Sequence, residues 1–251
     1  MGLFDRIFGT SRLDPGPGSI EPLPGLGDRS GAELAKRAAL SPETEAIVQS
    51  CASPAELVHR LQAAHFSHDA VKVLAHGLEP RDAIGWAVKS AQRAGSSRDA
   101  ADDAAARAAE AWVKSPGEET LAAAAAAAAK TDYQGPGAWA AQAVAFTRPQ
   151  PNVLEIPNRP PIELPVSERL PAKAVVGSVM IAAARTREGS VPAAPLPGRP
   201  AKTPPPVAAP STGTPLPTSP DTSAERQAAA PSINPFIELG KDVASGKISW
   251  T

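Results

Sequence analysis

Proline placement limits what this chain can fold into more than any other feature. Of its 251 residues 29 are proline, concentrated toward the C-terminal half, and neither a helix nor a central strand runs through closely spaced prolines. The foldable length therefore shrinks to about one domain with one core. Nearer the N-terminus the prolines take another role. Ser41-Pro42, Ser53-Pro54 and Ser115-Pro116 each set a hydroxyl before a proline at a first helical turn, and Glu56 and Glu118 complete capping boxes with Ser53 and Ser115. Ser30-Gly-Ala-Glu33 is a further capping box. These start signals, with the apolar periodicity between them, predict helices over about 31–39, 42–50, 54–64, 68–76, 80–94, 98–114, 116–130 and 136–147, with no competing strand.

The clearest pair spans Asp69 to Ala91. Val71, Leu74 and Leu78 form one apolar stripe, Gly77 reads as a left-handed helix stop, and Pro80 opens a second helix whose stripe runs through Ala83, Ile84, Ala87, Val88 and Ala91. Trp86 sits beside that stripe as a packing anchor, and Trp112, Trp139 and Trp250 are the other large burial markers in a chain only 4% aromatic. Short connections predict nearly antiparallel neighbours. No fixed repeat recurs, so the expected fold class is all-α, an irregular multi-helix bundle of short antiparallel helices rather than a solenoid. The alanines from 122 to 129 would let two helix backbones approach closely.

Six segments follow. Residues 1–10 are a short amphipathic tip with Leu3, Phe4, Ile7 and Phe8 on one side, suited to a partner's groove or a membrane surface. Residues 11–29 are a Pro/Gly linker, and 30–148 the helical body. In 149–186 an extended Pro-rich strap laid in a groove of the body leads into a helix from Pro171 to Arg185, apolar nearly all round and so buried centrally. Residues 187–232 are a disordered Pro/Ala-rich insert with too few large apolar groups to offset ordering entropy. Residues 233–251 return to helix code, with Asn234 as cap, Pro235 at the first turn, and Phe236, Leu239, Val243 and Ala244 on the side that docks, followed by Trp250.

A formal net charge of −1 supplies no field to recruit nucleic acid, and no basic stretch carries the interleaved aromatics of a stacking platform. One cysteine, Cys51, excludes an internal disulfide and fits a reducing compartment, so a cytoplasmic location is expected. The longest apolar run, Ala174 to Ala184, is about half of what crosses a bilayer.

No constellation names a chemistry. His59, His65, His68 and His76 fall in one window with Cys51 and Asp69 nearby, but their spacing does not set a tetrahedral site, so no metal or other cofactor is expected. Cys51 follows a helix end, where the dipole raises a thiol pKa. Asp99, Asp102, Asp103 and Glu110 read as a solvated acidic face with Arg98 and Arg107 as neighbours. Gly135-Pro-Gly137 is not a phosphate loop, because proline removes an amide donor and no Lys-Ser or Lys-Thr follows.

Four sets of residues together carry a resemblance. They are Ala70-Val71, Leu74-Ala75-His76, Pro80-Arg81, Ala83 and Trp86; Ala109 to Val113; Ala172 to Val175 with Gly177, Ala182 and Ala183; and Phe236 to Ala244 with Gly246 and Trp250. The chain resembles a family of uncharacterised alanine-rich bacterial proteins associated with gene neighbourhoods of type VI secretion systems. The resemblance implies that the C-terminal helix shares a folded unit with Pro171 to Arg185, and it transfers no catalytic residue. Against it, Gly85 stands where a larger residue is expected before Trp86, leaving a local gap.

The expected function is a non-enzymatic helical adaptor or accessory protein that mediates protein–protein contacts, and the resemblance implies a type VI secretion apparatus as its setting. Two alternatives remain open: a metal-dependent enzyme using the His59–His76 region, and a peripheral membrane-associated structural protein held by the tip. The oligomeric state is left open.

Overall fold

The computed structural model describes residues 20–95, 99–148, 152–154, 162–164, 167–190 and 223–250. Within them the fold is all-α, with ten helices: α1 (Gly31–Ala38), α2 (Glu45–Ser50), α3 (Pro54–Ala63), α4 (Ser67–Gly77), α5 (Pro80–Arg93), α6 (Ala100–Lys114), α7 (Glu118–Ala128), α8 (Pro136–Ala145), α9 (Leu170–Ser190) and α10 (Ser223–Ala244). The tip with Leu3, Phe4, Ile7 and Phe8 lies outside the described residues, as does 191–222 of the insert.

Capping chemistry places many of the starts. Ser30 and Glu33 form the reciprocal box at α1, Ser53 accepts from the Glu56 amide at α3, and prolines open α3, α5 and α8. At α3 the Glu56 carboxylate reaches back one residue further than a standard box, to the Ala52 amide at 3.0 Å. Two expected starts shift. Pro42–Thr44 is a single 3₁₀ turn before α2, with no side-chain cap from Ser41. Ser115 ends α6 instead of opening α7, which starts at Glu118 after an uncapped Gly117.

One core runs through the molecule. α9 packs on α8, α5, α4 and α10, so the helix expected at the centre is there, with Ala174, Val175, Val179, Ala182 and Ala183 buried. The alanines of α7 give close contact with α6 and α8, where Ala124 and Ala128 are fully covered. Neighbours in sequence do not always pair. α4 and α5, joined by Leu78 and Glu79, scarcely touch each other and instead share α9 and α10. A two-residue joint constrains where a helix starts, while its direction follows the apolar faces it must cover.

Five readings of the sequence need correction. Gly77 is not a left-handed stop. It is the last residue of α4, and a Cβ there would meet Leu26 at 2.8 Å and Leu34 at 3.0 Å, so its missing side chain makes room for two leucines. The linker 11–29 is not free at its end: Leu23 and Leu26 are buried around a 3₁₀ turn over Pro24–Leu26, which packs on α4 and α10. In the Pro-rich strap, β1 (Asn152–Leu154) pairs antiparallel with β2 (Ile162–Leu164), Val153 opposite Glu163, so this segment doubles back instead of running as one extended strap. Asn234 is inside α10 and caps nothing, because buried Ile233 extends the docked face upstream of it. With α9 reaching Ser190 and α10 beginning at Ser223, helix also takes both ends of the expected insert.

Candidate functional site

Several of the residues that carry the resemblance meet around α5, where the last helix of the chain docks. Trp86 is fully buried, and its indole Nε1 donates to the Phe236 carbonyl of α10 at 2.8 Å. A helical carbonyl has a second lone pair free for such a bond. The ring lies so close to Gly240 that a Cβ there would be 2.8 Å from it. One residue earlier the pairing is reversed. Gly85 receives the Trp250 ring, which any side chain at 85 would collide with. The gap left by that glycine is therefore a socket for a tryptophan 165 residues away. Asp82 accepts from Trp250 Nε1 at 2.9 Å, and Arg81 donates to the carbonyls of Trp250 at 2.9 Å and Val113 at 2.7 Å. Phe236, Leu239 and Val243 all face the core as expected, Leu239 only partly covered.

Where this C-terminal segment crosses α5 and α6 it leaves a cleft of about 560 Å³. Val88, Val113, Ile248 and Trp250 form its apolar wall, and Lys89, Lys114, Lys247 and Glu110 line it with charge. Lys114 pairs with Glu110 at 2.8 Å and Lys247 with Glu21 at 2.7 Å, whereas Lys89 has no ion-pair partner among the described residues. The Lys114 hydrogen bond and charge, the nearby charge of Lys89 and the Gln92 hydrogen bond hold the Glu110 carboxyl below its ordinary range, so it stays charged near neutrality.

The acidic face of α6 is not uniformly solvated. Asp102 is 3% exposed, and its Oδ1 accepts the Ala138 amide at 2.7 Å while Oδ2 pairs with Arg185 of α9 at 3.1 Å. The residue before α8 is Gly135, which has no side chain to cap it, and Ala138 is the third residue of the helix. Asp102 therefore caps α8 from another helix. Side chains at Gly135 and Gly137 would occupy the space of Asp102 and its backbone, which explains the Gly-Pro-Gly sequence. The loop does cradle an anion, a carboxylate of the same chain. Ser178 Oγ completes the junction by donating to the Pro136 carbonyl at 2.7 Å. The signal that sequence reasoning missed is the pairing of an uncapped Gly-Pro start with an aspartate on the preceding helical hairpin.

The histidines do not come together. His59, His65 and His68 are exposed, with His65 in a left-handed turn at φ 64° between α3 and α4, while His76 is buried within α4. No group of three His, Cys, Asp or Glu among the described residues is arranged to hold a metal. Asp69 bonds Lys72 at 2.9 Å and the Ser41 amide at 3.3 Å. Burial raises the Cys51 thiol pKa, so it is held away from the reactive thiolate. Burial and surrounding cations push His76 down to about 4, so its ring is neutral near pH 7. Among the described residues, no helix is long and apolar enough to cross a membrane.

A family model for a family of unknown function (DUF6931) matches residues 57–194, and the chain belongs to that family. The matched region runs from α3 through α9 and leaves α10 and Trp250 outside it. No curated protein and no solved structure matches the chain.

Proposed function

We propose that this member of the family is a non-enzymatic helical adaptor whose body engages one protein partner through the α5–α6 cleft while its N-terminal tip engages another. The cleft carries the reading. It joins an apolar wall of Val88, Val113, Ile248 and Trp250 to the ammonium of Lys89, which has no ion pair among the described residues, a combination that suits a short segment with one apolar and one acidic side chain. The buried carboxylates support it from the other side: Asp102 and Asp69 are both spent on capping and ion pairs that hold helices together. Leu3, Phe4, Ile7 and Phe8 supply the second contact as an amphipathic tip. The type VI secretion setting is proposed on the resemblance alone.

Affinity capture from the native cell tests this with three baits: the full chain, the chain lacking Met1 to Gly9, and a Lys89→Glu variant. The adaptor reading expects one secretion-apparatus protein to be lost with the tip and a different protein to be lost with Lys89→Glu, with the helical circular dichroism of both variants unchanged. Identical capture by all three baits refutes it. Sedimentation of the full chain with lipid vesicles, abolished by Phe4→Asp, would assign the tip to a membrane surface instead of a protein.

A further inference from the structure

The most unusual electrostatic arrangement is a set of cations gathered around a buried histidine of α4. Lys72 and His76 stand one turn apart on α4, Arg169 and Lys173 have the same spacing at the start of α9, and Arg37 lies in the last turn of α1. α4 packs against both α1 and α9. His76 is 6% exposed, and its Nδ1 is buried with no hydrogen-bond partner, as is Nε of Arg37. The four charges that act on the imidazole, from Arg37, Arg169, Lys173 and Lys72, are all positive.

Lys72 is answered by Asp69 at 2.9 Å. The guanidinium groups of Arg37 and Arg169 and the ammonium of Lys173 have no ion pair or side-chain hydrogen bond among the described residues. The acids on helices around α4 are engaged elsewhere: Glu33 with Ser30, Glu56 with Arg60 and the Ala52 amide, and Glu238 with Lys241 and Gln62. Glu168 is exposed beside Arg169. Like charges brought together without a counter-charge repel by an amount that grows as water is excluded. A buried imidazole nitrogen with no partner adds its own desolvation cost. One anion at the junction would relieve both.

We propose that the junction of α1, α4 and α9 is a binding site for a divalent oxyanion of the phosphoryl class, held by Arg37, Arg169 and Lys173 with His76 donating from beneath. Guanidinium groups match a phosphoryl group with paired donors, and lysine adds a point charge. α9 starts at Leu170, between Arg169 and Lys173, so the positive end of its dipole lies beside both cations. His76 takes up a proton when the anion enters, which supplies its donor and satisfies the ring nitrogen.

The test uses the full chain in chloride buffer of fixed ionic strength, titrated with inorganic phosphate, sulfate or acetate by calorimetry and thermal unfolding. Saturable phosphate binding that raises the melting temperature is expected, with sulfate binding comparably and acetate at least about tenfold more weakly. Arg37→Gln and Lys173→Gln should each weaken phosphate binding about tenfold or more. Because neither side chain is bonded, both variants should melt no lower than the parent in chloride alone. The His76 ring resonances of the unmodified chain give a readout that needs no variant, since phosphate should move their titration upward. Absence of saturable binding, equal binding of acetate, unchanged binding by folded variants, or a His76 titration indifferent to phosphate would each overturn the site.

Discussion

Lowering the pH should destabilise the protein through His76, by an amount the burial of its ring sets. The imidazole has an ordinary value of 6.5 and is pushed down to about 4 in the folded chain by desolvation and by Arg37, Arg169, Lys173 and Lys72. A depressed folded value means that the unfolded chain binds the proton first. The stability from keeping this ring neutral is therefore complete above 6.5 and is lost as pH falls toward 4. Between about pH 7.5 and about pH 5 the linkage relation gives a loss of about 2 kcal/mol, because the unfolded histidine is then almost fully protonated and the folded one is not. For a domain of this size that is roughly 4–8 °C in melting temperature. Glu33, Glu56, Glu110 and Glu238, all held below their ordinary range, add an acid loss of their own, so the His76 part is isolated with a His76→Phe variant. The assay is chemical denaturation of both chains at the two pH values in phosphate-free buffer. The variant should gain about 2 kcal/mol relative to the parent on going to the lower pH. A difference that stays constant within about 0.5 kcal/mol would refute the reasoning, since a ring that titrates normally in the folded state has no linkage to lose.

Three further perturbations probe the packing of the site and its supports. Asp102→Ala removes the cap of α8 and strands Arg185, and should cost about 3 kcal/mol in denaturant unfolding, whereas Asp102→Asn keeps the acceptor for the Ala138 amide and should cost less. Gly85→Val should expel the Trp250 ring, red-shifting tryptophan emission and opening the cleft, while the helical circular dichroism of the body stays near that of the parent. Gly240→Val forces α10 away from Trp86 and should lower stability by about 2–3 kcal/mol, with α10 amides losing hydrogen-exchange protection before those of α8 and α9.

Much of the helix order was legible because its signals are local. Pro54, Pro80 and Pro136 mark first turns, Ser30 and Ser53 cap, and each observed helix from α1 to α8 begins within a few residues of its expected position. The failures share a cause. Gly77, Gly85, Gly135 and Gly240 look alike as letters, yet each is small because of a particular distant neighbour: Leu26 and Leu34, Trp250, Asp102 and Trp86. Asp102 read as one member of an acidic face, since the bond that distinguishes it ends 36 residues away. Asn234-Pro235 read as a start because the cap rule sees only neighbours, while burial of Ile233 extends the helix. His76 stood out only as one of four histidines, and the cations around it come from α1, α4 and the beginning of α9 with the residue before it.

The sequence by itself determined an all-α fold, the positions of its helices, the apolar nature of α9 and the amphipathic face of α10, because capping, periodicity and proline geometry act over a turn or two of chain. Only the tertiary structure decided that α4 and α5 part after their short joint, that the Leu23–Leu26 turn is core, and that Trp86 and Gly85 of α5 mate with Gly240 and Trp250. It also decided which charges are answered and which are not. Those outcomes depend on which surfaces meet when the helices close on one another, and close packing admits few arrangements in which every large side chain finds a matching hollow.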